Sequence, residues 1–151
     1  MSKRLMLVLG VVLVVGAAVG TTLAVGQGGS SNNTLTARLT PPSGSKDTGG
    51  QGAAAVTIAG TRVCVAISFA GLSNVAAAHI HRGGRGTNGP IVVDPKFSGT
   101  GGARGTLGRC VTPNAGTTAA QIRSNPGGFY VQIHTANTPS GAVRGQLRRG
   151  S

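Results

Sequence analysis

Short stretches of alternating apolar and polar residues recur along this chain, and they restrict the fold more than any other feature. In Arg62–Phe69 every second residue from Val63 onward is Val, Ile or Phe, so a strand there has one apolar face. Turn-forming residues such as Gly60-Thr61 separate the stretches. Outside residues 1–26 no segment has a convincing helical period. The pattern predicts an all-β fold, an antiparallel β-sandwich or barrel of about seven to eight strands.

The same alternation gives the boundaries of the predicted strands. They are Thr34–Leu39, Ala53–Ala59, Arg62–Phe69, Ala76–Arg82, Ile91–Val93, Ala103–Cys110, Phe129–Thr135 and Ala142–Arg148. Only Gly60-Thr61 separates the second strand from the third, which is typical of a hairpin. Ala119–Asn125 has the pattern of one short helical turn, which Pro126-Gly127-Gly128 ends.

The N-terminal segment has the features of an export signal. Lys3 and Arg4 precede the uncharged run Leu5–Val25, which is rich first in Leu and Val and then in Gly, Ala and Thr. We interpret residues 1–26 as a signal peptide. The alternative is an uncleaved anchor, because the run is long enough to cross a bilayer once. We therefore predict a secreted, extracellular or cell-surface protein that contacts a membrane only through an uncleaved signal.

The remainder of the chain has the size of one domain. We expect a flexible tether over residues 27–33 and a β-domain over residues 34–149. Tryptophan is absent and aromatic residues make up 3% of the chain, so the core consists mainly of aliphatic side chains. Because small side chains bury little area each, such a core gains from a covalent cross-link.

The two cysteines, Cys64 and Cys110, offer that cross-link. An even pair in an exported chain is typical of a disulfide, and two buried free thiols are the alternative. The separation of 110 − 64 = 46 residues corresponds to about 4 kcal/mol in the loop-entropy model, so reduction should lower the melting temperature by several degrees. A catalytic thiol is not favoured, because neither cysteine has a histidine nearby in the sequence.

The charge balance is strongly basic. Fourteen lysines and arginines face two acidic residues, Asp47 and Asp94, and the formal net charge is +12. Such a chain attracts polyanions, so we predict anionic cell-surface polymers as partners; the alternative is that the charge only maintains solubility. Nucleic acid is not expected, because binding of single strands without sequence preference uses stacked aromatic side chains, which are scarce here.

Few kinds of catalysis are compatible with these residues. A glycosidase needs two neighbouring carboxylates, whereas Asp47 and Asp94 belong to separate predicted loops. No stretch resembles the nucleophile elbow of an α/β-hydrolase. We therefore expect a protein that is not an enzyme.

Three ordered stretches within Leu35–Leu147 carry a family resemblance. They are Ala78-His79-Ile80-His81-Arg82-Gly83 leading to Asn88-Gly89-Pro90-Ile91-Val92, then Gly128-Phe129-Tyr130-Val131-Gln132-Ile133-His134-Thr135, and Ser140-Gly141-Ala142-Val143-Arg144-Gly145-Gln146-Leu147. In order and spacing they resemble the CHRD domain, named after chordin. The resemblance implies an exported β-domain. It also marks family-motif positions, which are Gly83, Asn88, Gly89, Pro90, Tyr130, Thr135, Gly141, Arg144 and Gly145.

The chain departs from the CHRD pattern at two positions. The family usually has Asn where Gln132 stands and Glu where Ala142 stands, so Arg144 lacks its expected acidic neighbour. A role that depends on that glutamate is not carried over to this chain. In animal chordin the domain belongs to an extracellular antagonist of bone morphogenetic proteins, and we do not extend that role to a single-domain chain.

All three histidines lie in the matching stretches. Strand alternation places His79 and His81 on one face of their strand, and His134 on one face of another. If the two strands are adjacent, the three imidazoles converge and suit Cu(II) or Zn(II). The favoured interpretation is structural: the histidines hydrogen-bond the backbone and hold the loop of residues 83–90. A metal site normally has carboxylates that orient its imidazoles, and only Asp94 could serve.

Two functions therefore remain open. The favoured one is a non-enzymatic CHRD-like domain with a binding or structural role outside the cytoplasm, in contact with anionic surface polymers and without a cofactor. The alternative is a copper- or zinc-binding, redox-related protein that uses His79, His81 and His134 as ligands. The mutual distances of the three imidazoles distinguish the two.

Overall fold

The computed structural model describes residues 33–97, 99 and 102–150, and these residues form two antiparallel sheets. The elements are β1 Thr34–Leu39, β2 Gln51–Ala59, β3 Arg62–Ala70, β4 Val75–Arg82, β5 Ile91–Val93, β6 Arg104–Val111, α1 Ala119–Ser124, a 3-10 turn Pro126–Gly128, β7 Phe129–Thr135, β8 Val143–Gln146 and β9 Arg148–Arg149. The predicted signal peptide, residues 1–26, and tether residues 27–32 lie outside the described part. Among the described residues no helix has the length and apolar character needed to cross a membrane.

The two sheets confirm the predicted all-β fold and show that, of sandwich and barrel, it is a sandwich; the described residues form nine strands, where about seven to eight were predicted. A five-stranded sheet has the order β6-β3-β2-β1-β9, and a four-stranded sheet has the order β5-β4-β7-β8. The predicted hairpin around Gly60-Thr61 joins β2 to β3, with Ala59 opposite Arg62. At one corner Thr40 pairs with Arg144, so the end of β1 also touches the edge strand β8 of the other sheet.

The core lies between the sheets because each strand turns its apolar residues inward. Val65 and Ile67 of β3 and Ile80 of β4 are buried, as the period of two predicts. Val131 and Ile133 of β7 are buried on the same inner face of the four-stranded sheet as Ile80, and all of them belong to one core with Val65 and Ile67. The outward face of each sheet is therefore free to carry function.

The prediction of one strand over Ala142–Arg148 is wrong. The segment is divided into β8, which pairs with β7 in the four-stranded sheet, and β9, which pairs with β1 in the five-stranded sheet. Leu147 lies between them, 1% exposed, and its N–H donates to the carbonyl of Phe129 at 2.9 Å. The chain changes sheets here because Leu147 fills the core between the two layers.

The predicted disulfide is present. Cys64 and Cys110 are bonded and stand directly opposite each other on β3 and β6. Both side chains belong to the outward face of the five-stranded sheet and are half-buried. The bond therefore cross-links two neighbouring strands without occupying the core, and it is consistent with an oxidising, extracellular location.

Candidate metal centre

The three histidines converge on the outward face of the four-stranded sheet. β4 and β7 are neighbours, with His79 opposite Gln132 and Ala77 opposite His134. The ring centroids of His79 and His134 are 5.1 Å apart, and His81 lies 5.6 Å from His134 and 5.8 Å from His79. One ring nitrogen of each residue lies within 4.8 Å of the other two. The convergence predicted from strand alternation is confirmed.

One nitrogen of each ring is engaged by a neighbouring acceptor. Nδ1 of His81 lies 2.9 Å from the carbonyl of Gly89, and Nδ1 of His134 lies 2.9 Å from the carbonyl of Pro139. Because a carbonyl only accepts, each Nδ1 carries the proton and donates it, which leaves Nε2 of the neutral ring with a free lone pair. Nε2 of His79 faces Oδ1 of Asp94 at 3.7 Å, which favours the proton on that nitrogen.

The other nitrogen of each ring is buried and has no partner among the described residues. These three atoms are Nδ1 of His79, Nε2 of His81 and Nε2 of His134. A buried polar atom without a hydrogen bond costs about 1–3 kcal/mol, and such atoms in a folded protein call for an explanation. The three are also the nitrogens that the neighbouring acceptors leave as lone-pair donors. The arrangement is therefore one that a metal ion would complete.

His79 and His81 are suited to stay neutral at pH 7. Burial lowers the pKa of His79 below its usual value of 6.5, the nearby His134 lowers it further, and Asp94 partly offsets both. Burial is also the main cause that lowers the pKa of His81, against a smaller upward effect of its bond to Gly89. Neutral imidazole is the form that binds a metal, so the site needs no proton release from these two rings at neutral pH.

We predict that acid destabilises the metal-free protein through these histidines. Since both folded pKa values lie below the unfolded value, the unfolded chain takes up protons first as the pH falls. Their contribution to stability is fully present above about pH 6.5 and decreases as the pH falls from there. Thermal melting in chelator between about pH 7.5 and about pH 5 measures the slope.

A variant without the two buried imidazoles provides the control. In His79→Gln/His81→Gln the melting temperature should depend less on pH between about pH 7.5 and about pH 5, because glutamine does not titrate. The pKa of Asp94 is lowered, mainly by its hydrogen bond with Lys96, so that carboxyl contributes only nearer pH 4. A wild-type melting temperature that stays constant or rises as the pH falls from about 6.5 would contradict the prediction.

Tyr130 holds the His81 ring in place. The two rings are stacked with centroids 5.0 Å apart and planes at 7°, and the guanidinium of Arg144 lies 3.6 Å from the Tyr130 centroid. The N–H of Gly89 donates to the Tyr130 hydroxyl at 3.1 Å while the Gly89 carbonyl accepts from His81. One residue, Gly89, thus links the tyrosine and the histidine through its N–H and its carbonyl, and it sets the direction of both rings.

The loop of residues 83–90 lies over this stack. Arg144 donates to the carbonyl of Thr87 at 3.0 Å and to Oδ1 of Asn88 at 3.4 Å. Gln146 donates to the carbonyl of Gly83 at 2.7 Å, and Pro90 accepts from the N–H of Arg82 at 3.0 Å. The structural role predicted for the histidines is therefore met in part: Nδ1 of His81 anchors this loop through Gly89, and Nδ1 of His134 bonds the backbone at Pro139, outside the loop. This role does not account for the free nitrogens.

The two departures from the CHRD pattern have separate consequences. Ala142, where the family has an acid, is fully buried, and Arg144 takes carbonyl groups and an aromatic ring as partners instead. Gln132 donates to the carbonyl of Ser140 at 3.0 Å, and a side chain on Gly141 would occupy the place of its amide. Gly141 has φ +126°, which also favours glycine.

Other predicted residues lie away from the imidazoles. The hydroxyls of Thr135 and Thr138 both donate to Oδ2 of Asp47, at 2.8 Å and 2.6 Å, and so attach the loop before β2 to the end of β7. Gly145 packs against the carbonyl of Arg38 in β1. The disulfide belongs to the other sheet. Sequence reasoning missed the Pro139 carbonyl, because a backbone acceptor has no side-chain signature.

The comparisons with known proteins agree with this architecture. The CHRD domain model matches residues 32–147, which is most of the chain and includes both histidine strands. No curated protein and no solved structure matches the chain significantly. Together with the disulfide, the match describes a small domain consistent with an extracellular setting. The chain belongs to the CHRD domain family.

Proposed function

We propose that this protein binds one divalent transition metal ion, copper(II) or zinc(II), through Nδ1 of His79 and Nε2 of His81 and His134. The three buried nitrogens without a partner carry the proposal. One ring nitrogen of each histidine already lies within 4.8 Å of the other two, so small side-chain movements bring the three rings within reach of one ion. Each ring is oriented through its opposite nitrogen, as the imidazole ligands of metal sites usually are.

The donor set also restricts the metal. Imidazole suits copper and zinc, whereas magnesium and calcium take oxygen ligands. Copper(II) is expected to bind more tightly than zinc(II), because affinity for nitrogen ligands peaks at copper in the divalent series. Three protein ligands leave a coordination position open, and a bound ion of this kind supplies Lewis acidity or redox chemistry.

We propose binding, not hydrolysis, as the role of the domain. Asp47 and Asp94 are the only acidic residues in the chain, and each is engaged by its own partners. Asp47 accepts two threonine hydroxyls, and Asp94 forms an ion pair with Lys96 at 2.6 Å. Neither arrangement supplies the carboxylate pair of a glycosidase.

Titration of the purified protein with copper(II) or zinc(II) tests the proposal. We expect one saturable site, and for His81→Ala an affinity at least ~100-fold lower, since the loss of a ligand exceeds the ~10–100-fold cost of losing a ligand's hydrogen-bond partner. Calorimetry measures the affinity, and electron paramagnetic resonance of the copper form reports coordinated nitrogen. The chain has three histidines in all, so no other imidazole competes.

Thr57→Ala is the matched control, because Thr57 is exposed on the outward face of the other sheet. It should bind copper as the wild type does. Absence of saturable binding in the wild type, or unchanged stoichiometry and affinity after substitution of all three histidines, would overturn the proposal.

A further inference from the structure

A wide groove crosses the outward face of the five-stranded sheet, away from the histidines. It has a volume of about 1180 Å³. Along the two middle strands, β2 and β3, its outward-facing floor consists mainly of small side chains, those of Ala53, Ala55, Ala66 and Ser68, and the exposed Gln51 stands at the start of β2. Thr36 and Thr106 flank them on β1 and β6. An elongated ligand could therefore lie close to the backbone across several strands.

Arginines stand on both sides of this floor. The pairing register places Arg38 in the same row as Ala53, Ser68 and Thr106. On the same side, Arg148 of β9 lies opposite Thr36. The opposite side is formed by β6, whose first residue is Arg104. The sheet order separates β1 from β6 by three strand spacings, or about 14 Å.

The charge of these arginines is not neutralised within the described part of the chain. The ion pairs found there involve Asp94 alone, with His79 and Lys96. Asp47 is occupied by threonine hydroxyls near the end of β7. Arg38, Arg104 and Arg148 are all exposed. The groove is thus positive along both sides and has no acidic lining residue.

We propose that this groove binds a strand of an acidic polysaccharide through Arg38, Arg104 and Arg148. Guanidinium groups form strong paired hydrogen bonds with carboxylate and sulfate groups, and Ser68, Thr36 and Thr106 offer hydroxyls to sugar oxygens. The excess of positive charge in the whole chain draws such a polymer to the surface.

Two other occupants fit the groove less well. A second copy of this chain would bring the arginines of two grooves together, and like charges without partners oppose such an interface. A nucleic acid strand would find no exposed aromatic ring to stack against, because the aromatic residue that borders the groove, Phe69, is 5% exposed and belongs to the core. The flat row of small residues and the paired positive sides suit a hydrated, negatively charged sugar chain.

Binding to heparin, a sulfated polysaccharide, at physiological salt tests the proposal. In Arg38→Gln/Arg104→Gln/Arg148→Gln we expect the affinity to fall at least ~10-fold, because three charge-assisted contacts are removed. Lys46→Gln/Arg85→Gln/Arg123→Gln is the matched control, since it lowers the net charge equally, from +12 to 12 − 3 = +9, and changes no residue of the groove. It should bind heparin nearly as the wild type does.

The remaining arms separate specific from general attraction. Neutral dextran should not bind, because it offers no charge to the arginines. Both triple variants should bind copper equally well. Failure of the polysaccharide proposal can therefore be distinguished from failure of the metal proposal. An equal loss of heparin affinity in both triple variants, or no wild-type binding, would overturn the proposal. Single-stranded DNA that bound as tightly through the same arginines would overturn its assignment to polysaccharide.

Discussion

Removal of the disulfide by Cys64→Ser/Cys110→Ser is expected to lower the free energy of unfolding by about 4 kcal/mol. The bond closes a loop of 46 residues, and its loss restores conformational freedom to the unfolded chain. For a domain of this size the melting temperature should fall by on the order of 10 °C or more. Calorimetry or denaturant unfolding of the double variant, beside the reduced wild type, measures the effect.

The position of the bond makes this measurement easy to interpret. Cys64 and Cys110 point away from the core, so serine at both positions opens no cavity between the sheets. The change in stability therefore reports the cross-link and not lost packing. Thr57→Ser, on the same outward face, is a control that should change stability by less than ~0.5 kcal/mol. A melting temperature of the double variant within ~2 °C of the wild type would contradict the prediction.

The positions of individual strands could be predicted from the sequence, because they depend on the local alternation of apolar and polar residues. A strand with one buried face is visible in the sequence because its side chains alternate, as in β1, whose predicted bounds are confirmed. The predicted bounds of β7 are also confirmed, although six of its seven residues are buried. The division of Ala142–Arg148 between two sheets was not visible. It depends on pairing with β7 and β1, which are distant in the sequence, and on burial of Leu147 between the layers.

The candidate metal site, too, could be predicted only in part. Alternation predicted the faces of His79, His81 and His134, but the side-by-side placement of β4 and β7 had to come from the structure. The carbonyls of Gly89 and Pro139 orient two of the rings, and any residue type carries such a group. Among the carboxylates only Asp94 could orient the imidazoles, so the sequence favoured a structural role over a metal site. That interpretation did not consider that backbone carbonyls can orient the rings.

The two proposed sites occupy opposite outward faces of the sandwich. The histidines belong to β4 and β7 of one sheet, and the arginine-lined groove crosses the other. A polysaccharide bound in the groove would leave the metal centre facing away from the polymer. The two sites can therefore act at once, and substitutions in one should leave the other unchanged, apart from the general effect of net charge.

Gly89→Ala is expected to disturb the fold and the metal centre together. A Cβ at Gly89 would overlap the carbonyl oxygen of Arg82, and backbone cannot give way as a flexible side chain can. Overpacking of this kind costs about 1–3 kcal/mol or more. The displaced backbone at residue 89 would also lose its two contacts, with the His81 ring and the Tyr130 hydroxyl. Copper affinity should then fall ~10–100-fold, as when other partners of metal ligands are removed.

Gly84→Ala, in the same loop, is the matched control, because a Cβ there meets no atom within 4 Å. Its free energy of unfolding should lie within ~0.5 kcal/mol of the wild-type value, and it should bind copper as tightly as the wild type does. Thermal unfolding and copper titration of both variants, at a temperature where each is folded, separate the two effects. A folded Gly89→Ala with wild-type copper affinity would show that the Gly89 carbonyl does not orient His81. Both substitutions add one methyl group to the loop, but only the one at Gly89 meets backbone atoms. If Gly84→Ala lost as much copper affinity as Gly89→Ala, the cause would be a change in the loop as a whole and not the overlap at Gly89.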